Sequence, residues 1–176
     1  MGFLDYAWAI SLQKDNTKVK ILQDEKINQP LLQSDEFGYS IKLPVVRTQE
    51  DGSLSYLGLK FPGDHAGKAK VGRVFRASVV HLTTHTLAPF SMDRVVLNPK
   101  DSIIDAFAKQ LVNDVYVNCY LLAWYPDRLF DVAYANALAY QKIKSGERIF
   151  SSSTKVMAAL LTQMFVGAMK NSPGVE

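Results

Sequence analysis

The chain has few of the residues that mark common site classes or cellular locations. Of its 176 residues, one is cysteine, Cys119, and three are histidines. A single cysteine excludes a disulfide within the chain and suits a reducing compartment, so we predict an intracellular, cytoplasmic location. No segment reaches the roughly 20 consecutive apolar residues of a membrane-spanning helix. We therefore predict no membrane insertion.

Motifs that identify the large enzyme classes are also missing. The sequence contains no P-loop, no paired-cysteine metal motif and no Rossmann glycine pattern. The net charge of +3 is low for a dedicated nucleic-acid-binding protein. A hydrophobic content of 48% with 21% charged residues is ordinary for a folded protein. The length favours one domain, which we place at residues 1–170, with 171–176 as a tail or the start of a linker.

Residues in the first third alternate between polar and apolar with the period of β-strands. Residues 4–13 and 18–23 predict a first β-hairpin, with a helix over 3–12 as the alternative. Residues 24–38 then read as a connection. A second hairpin is predicted from residues 39–45 and 53–61, because the dipeptide Asp51-Gly52 between them is a strong hairpin-turn signal.

The rest of the chain has the patterns of about four helices. The first covers about residues 66–87, and its second half lacks charged side chains, so we predict that it is buried and central. The others begin near Ser102, Pro126 and Ser151, each of which is a typical helix-start residue. The inner stripe of the second helix is predicted to contain Ile104, Phe107, Ala108, Leu111, Val115, Asn118 and Leu122, with Cys119 also buried. The predicted fold is α+β, an N-terminal antiparallel sheet of two β-hairpins followed by these helices.

His81 and His85 lie four residues apart within the uncharged stretch 77–92. This spacing puts both imidazoles on one helix face, as metal binding requires. With Asp131 of the third helix, or its neighbour Asp127, they would form a set of zinc ligands. The spacing and the order of elements resemble the zincin metallopeptidases, but those have a catalytic glutamate where this chain has Leu82. The alternative is a pair of neutral core histidines that bond to nearby threonines.

Two further groups of residues are candidates for binding. The basic residues at the start of the first predicted helix could hold a phosphate or a nucleic-acid backbone, or could simply be a solvated face. The aromatic residues of the second helix are typical of protein interfaces, or of the rim of a core. The anion-binding candidates are Lys68, Lys70, Arg73 and Arg76, and the interface candidates are Tyr116, Tyr120, Trp124 and Tyr125.

Together these features favour a non-catalytic module that binds a protein partner or self-associates, as a subunit or fragment of a larger complex. The absence of a catalytic motif makes an enzyme the less favoured interpretation, and no cofactor is expected. The first alternative is a zinc-binding domain that resembles a degenerate zincin-type metallohydrolase, with His81, His85 and Asp131 as ligands. The second alternative is contact with phosphate or nucleic acid through the basic helix start.

Overall fold

A computed structural model describes residues 19–36, 38–87, 100–141 and 148–165. Within these residues, six strands precede four helices, so the predicted α+β class and the number of helices are confirmed. The strand predicted at residues 4–13 and the tail at 171–176 lie outside the described residues. None of the described helices combines the length and the apolar character needed to cross a membrane.

The first sheet contains strands β1 (Val19–Asp24), β2 (Leu31–Asp35) and β3 (Gly38–Pro44), in the order β1-β3-β2. Strand β3 pairs in parallel with β1 and antiparallel with β2. The interpretation of residues 24–38 as a connection was therefore wrong, since they include β2. An edge strand such as β2 does not need the full apolar alternation of a central strand, and Leu31-Leu32 was too weak a signal.

The second sheet contains the short strands β4 (Arg47–Thr48), β5 (Leu54–Tyr56) and β6 (Leu59–Phe61), all antiparallel. The turn predicted at Asp51-Gly52 joins β4 to β5, with Gly52 at a φ of 75°. The single return strand predicted at 53–61 is instead a second hairpin, which turns at Leu57 and Gly58 with φ angles of 50° and 68°. Such a turn favours glycine or asparagine at both positions. Because position 57 is a leucine, this turn has no clear signal in the sequence.

Helix α1 (His65–Thr84) is buried and central, as predicted. Its Val74 and Phe75 pack with Ile41 of β3 and Tyr56 of β5 in one core cluster. On another side, its Ala77 and Val80 join a second cluster with three residues of later helices, Val117, Leu121 and Val132. Helix α1 therefore contributes buried side chains to both core clusters.

Three more helices follow: α2 (Ile103–Trp124), α3 (Pro126–Tyr140) and α4 (Ser152–Phe165). The hydroxyl of Ser102 accepts a hydrogen bond from the backbone N–H of Asp105, so the predicted cap of α2 is present. The predicted inner stripe of α2 was partly wrong. Its buried residues are Leu111, Val117, Tyr120 and Leu121, whereas Ile104, Leu122 and Cys119 are exposed. The buried face is rotated from the predicted one because α2 packs against both α1 and α3.

Candidate metal centre

The last turn of α1 brings His81 and His85 to one side of the helix. The backbone N–H of His85 donates to the carbonyl of His81, so helical geometry extends to His85. From the middle of α2, Asp114 faces the two rings. It lies three residues after the buried Leu111 and three before the buried Val117, a spacing that puts it on the inward side of α2. Three side chains from two helices thus meet at one point.

The three facing atoms form a nearly equilateral triangle. Asp114 Oδ1 lies 3.1 Å from His81 Nε2 and 3.2 Å from His85 Nε2, and the two Nε2 atoms are 3.2 Å apart. The rings are close to perpendicular, at 83°. Tetrahedral zinc with bonds of about 2.0–2.1 Å separates its ligand atoms by roughly 3.3 Å. The triangle is therefore close to the size of one face of a zinc coordination tetrahedron.

Hydrogen bonding alone cannot satisfy all three contacts of this triangle. Each Nε2 atom carries at most one hydrogen, which can point at one acceptor. If both rings donate to Asp114, their two N–H groups face each other at 3.2 Å. If His85 donates to His81, the lone pair of His81 faces the ionised Asp114. A cation at the centre lets all three atoms act as electron-pair donors, which removes this conflict.

The centre is partly shielded from water. The exposed side-chain fraction is 17% for His85, 26% for His81 and 36% for Asp114. Burial alone would raise the pKa of Asp114, but hydrogen bonds from His81 and His85 outweigh it and hold that pKa well below its usual range. Asp114 is therefore a carboxylate at neutral pH, the form that binds a metal ion.

A pocket of about 500 Å³ lies directly beside the centre, between α1, α2, α3 and the second sheet. His81, Leu82 and Asp114 contribute to its wall, and Asn118 lies one turn further along α2. The amide oxygen of Asn118 is buried and has no hydrogen-bond partner among the described residues. Tyr140 also lines the pocket, and burial raises the pKa of its phenol to about 12, so the phenol stays neutral.

Asp131, the ligand proposed from the sequence, lies elsewhere and has another role. Its two carboxylate oxygens each accept a hydrogen bond at 3.0 Å, one from Arg73 and one from Arg76. Burial would raise the pKa of Asp131, but the bonds from Arg76 and Arg73 lower it below its usual value. Asp131 thus holds α3 against α1, and Asp114 takes the position beside the histidines. Asp127, the other candidate, is exposed at the start of α3.

The four basic residues proposed for anion binding differ in their contacts. Arg73 and Arg76 bind Asp131, and the guanidinium of Arg73 also lies 4.3 Å from the ring centre of Tyr134. Lys68 and Lys70 are exposed. At the helix start, the carboxylate of Asp64 accepts a hydrogen bond from the N–H of Gly67, so an acidic side chain already occupies the place of an anion.

The aromatic interface candidates divide into two pairs. Tyr116 and Trp124 are exposed, with 53% and 62% of their surface accessible. Tyr120 is buried, and its ring contacts that of Tyr125 with centroids 5.9 Å apart. Only the first pair is therefore positioned to meet a partner, and the second belongs to the core and its rim.

Leu82 is the residue at which this chain departs from the zincin pattern. Leu82 lines the pocket, so an apolar side chain lies beside the candidate metal position. Among the lining residues that the structure describes, Asp114 alone carries a carboxylate. Comparisons with protein-family models, with curated proteins and with solved structures give no match, so what this site binds rests on its geometry.

Proposed function

We propose that the protein is a metal-dependent binding module which holds a zinc ion through His81, His85 and Asp114. The observation that carries this proposal is the mutual separation of 3.1–3.2 Å among three potential ligand atoms. Two imidazoles and one carboxylate are a common ligand set for zinc, and they leave a fourth position open. Since His81 and Asp114 line the pocket, that position is accessible from it.

The surroundings favour binding over peptide hydrolysis. In zincins a glutamate next to the first histidine moves protons during the reaction, and a general base of this kind contributes about 10²–10⁴-fold to a rate. Leu82 cannot do this, and Asp114, the only carboxylate among the described residues of the pocket wall, is assigned to the metal. The proposed ion therefore orients a bound molecule and does not activate water for cleavage by that route.

Matched substitutions of two aspartates test the metal centre. Zinc affinity should fall by about 100-fold or more in Asp114→Asn, because loss of a direct ligand costs more than the 10–100-fold typical of outer-shell groups. Asp131→Asn is the control, and it should keep about one equivalent of zinc per chain. Both can be measured by equilibrium dialysis followed by elemental analysis, with Mg²⁺ as a competitor that should not displace zinc.

Three results would contradict the proposal. If the wild-type protein binds well under one equivalent at saturating zinc, the centre does not exist as proposed. If Asp114→Asn and Asp131→Asn bind zinc equally well, the ion lies elsewhere. A loss in Asp131→Asn alone would favour the ligand set proposed from the sequence.

A second candidate function, self-association, has its own observation in an apolar stripe on the outer face of α2. Exposed residues recur there at intervals of three or four and cover more than four helical turns. They are Ala108, Val112, Tyr116, Cys119 and Ala123. Against a second, antiparallel copy of the stripe, Ala108 would face Ala123, Val112 would face Cys119, and Tyr116 would face itself. Such a self-complementary pattern is what a twofold-symmetric contact requires.

A charge placed in this stripe should disrupt the contact. We expect the wild-type chain to have about twice the mass of its 19.6 kDa monomer in solution, and Tyr116→Glu to be monomeric, since a buried unpaired carboxylate is costly at an interface. Lys70→Glu changes an exposed charge on α1 and should leave the mass unchanged. Light scattering after size-exclusion chromatography measures all three. A monomeric wild type at high micromolar concentration would contradict self-association.

A further inference from the structure

The pocket beside the proposed metal ion has an uneven distribution of charge and polarity. Among the described residues of its wall, Asp114 is the only aspartate, glutamate, lysine or arginine. Most of the wall is apolar, and Leu57, Leu59, Val74, Leu82 and Val132 are among its residues. The polar residues of the wall are Ser78, His81, Asp114, Asn118, Asn136 and Tyr140, and two of them, His81 and Asp114, meet at the proposed ion. A molecule with one polar end at the ion and an apolar body against the leucine and valine side chains would suit this wall.

We propose that the pocket binds a small monocarboxylic acid with an apolar body, whose carboxylate is the fourth ligand of the metal. This inference rests on the proposed metal centre and adds the class of ligand. Two neutral imidazoles and one carboxylate leave a divalent ion with a net charge of about +1. One further carboxylate neutralises that charge, whereas a dianion would leave excess negative charge in a mostly apolar pocket.

The volume of the pocket suits this class of ligand. About 500 Å³ lies within the range of roughly 300–1,000 Å³ found for small-molecule sites. Acetate would fill little of this space, while an aromatic or branched aliphatic acid would cover the leucine and valine side chains. Burial of one such group is worth about 1.5–3 kcal/mol, which corresponds to at least roughly 10-fold in affinity.

Asn118 adds a requirement for a hydrogen-bond donor on the ligand. Its buried amide oxygen has no partner among the described residues, and an unsatisfied buried acceptor gains from any donor that reaches it. Asn118 follows Asp114 by four residues on α2, so the two side chains are neighbours, separated by about 5–6 Å at Cβ. A hydroxyl or N–H a similar distance from the carboxylate would meet this oxygen once the Asn118 side chain rotates toward the pocket, since the oxygen is closed to solvent in the structure. Benzoate and 4-hydroxybenzoate are therefore a suitable matched pair of probes.

Titration calorimetry of the zinc-loaded protein tests the ligand class. We expect benzoate to bind the zinc-loaded protein and not the metal-free protein, because without the ion Asp114 repels an anion. Acetate and the uncharged benzamide should each bind at least roughly 10-fold more weakly than benzoate. 4-Hydroxybenzoate should bind more tightly than benzoate, and this preference should disappear in Asn118→Leu.

Two alanines of α3 provide a steric test with a matched control. Both Ala137 and Ala139 are exposed, but Ala139 lines the pocket and Ala137 does not. We expect Ala139→Phe to bind zinc normally and to lose at least roughly 10-fold in benzoate affinity, since the ring occupies space in the pocket. Ala137→Phe should behave as wild type in both measurements.

Loss of the ligand site and loss of the metal centre would give different results. Zinc binding without benzoate binding, or equal binding of benzoate and acetate, would overturn the ligand proposal and leave the metal centre intact. Equal benzoate binding to metal-free and zinc-loaded protein would also overturn it. Failure to bind zinc at all would remove the proposed function itself, and the ligand proposal with it.

Discussion

Saturation with zinc is expected to raise the melting temperature of the metal-free protein by roughly 5–10 °C. A ligand that binds only the folded state stabilises it by about 2.7 kcal/mol at a concentration 100 times its dissociation constant. For a chain of this length, each kcal/mol shifts the melting temperature by roughly 2–4 °C. The effect is large because His81 and His85 on α1 converge with Asp114 of α2 only in the folded chain.

Histidine substitutions separate this effect from adventitious zinc binding. His81→Ala removes a ligand, so its melting temperature should change little when zinc is added. His65→Ala is the control, because His65 is exposed at the opposite end of α1 and belongs to no cluster of potential metal ligands among the described residues. The shift can be followed by circular dichroism in a buffer without chelator. Equal zinc-induced shifts in both variants would place the ion away from this centre.

The second large effect is expected at the start of α1. Gly67→Ala should lower the free energy of unfolding by about 1–3 kcal/mol, the usual cost of forcing extra atoms into a packed site. A methyl group on Gly67 would overlap the carbonyl oxygen of Pro62, which is backbone and cannot move aside by changing a rotamer. This close contact seats the first turn of α1 against the end of the second sheet.

Gly72 provides the opposite result on the same helix. A methyl group there would have only the guanidinium of Arg76 nearby, at 3.9 Å. Gly72→Ala should therefore stabilise the protein by about 0.5–1 kcal/mol, the gain in helix propensity and the lower entropy of the unfolded chain. Urea unfolding of the two variants measures both changes. If Gly67→Ala also stabilised the protein, the proposed contact with Pro62 would be wrong.

Features set by local patterns were predicted well. The α+β class, the cap at Ser102 and the turn at Asp51-Gly52 depend on residues close together in the chain, and the structure contains all of them. The burial of α1 followed from the missing charges of its second half. Strand pairing was predicted less well, because the parallel partner of β3 and the turn at Leu57 have no strong local signal.

The sequence by itself determined the histidine pair, because residues four apart on a helix share a face whatever surrounds it. Only the tertiary structure decided the third potential ligand. Asp114 is 29 residues from His85, and the two side chains meet because this face of α2 packs against α1. The stripe predicted for α2 had a different phase and did not include Asp114. The sequence predicted Asp131 as the third metal ligand, but packing of α3 on α1 pairs it with Arg73 and Arg76. Packing between distant segments sets which helix faces meet. It therefore places Asp114 beside the histidines and Asp131 beside the arginines.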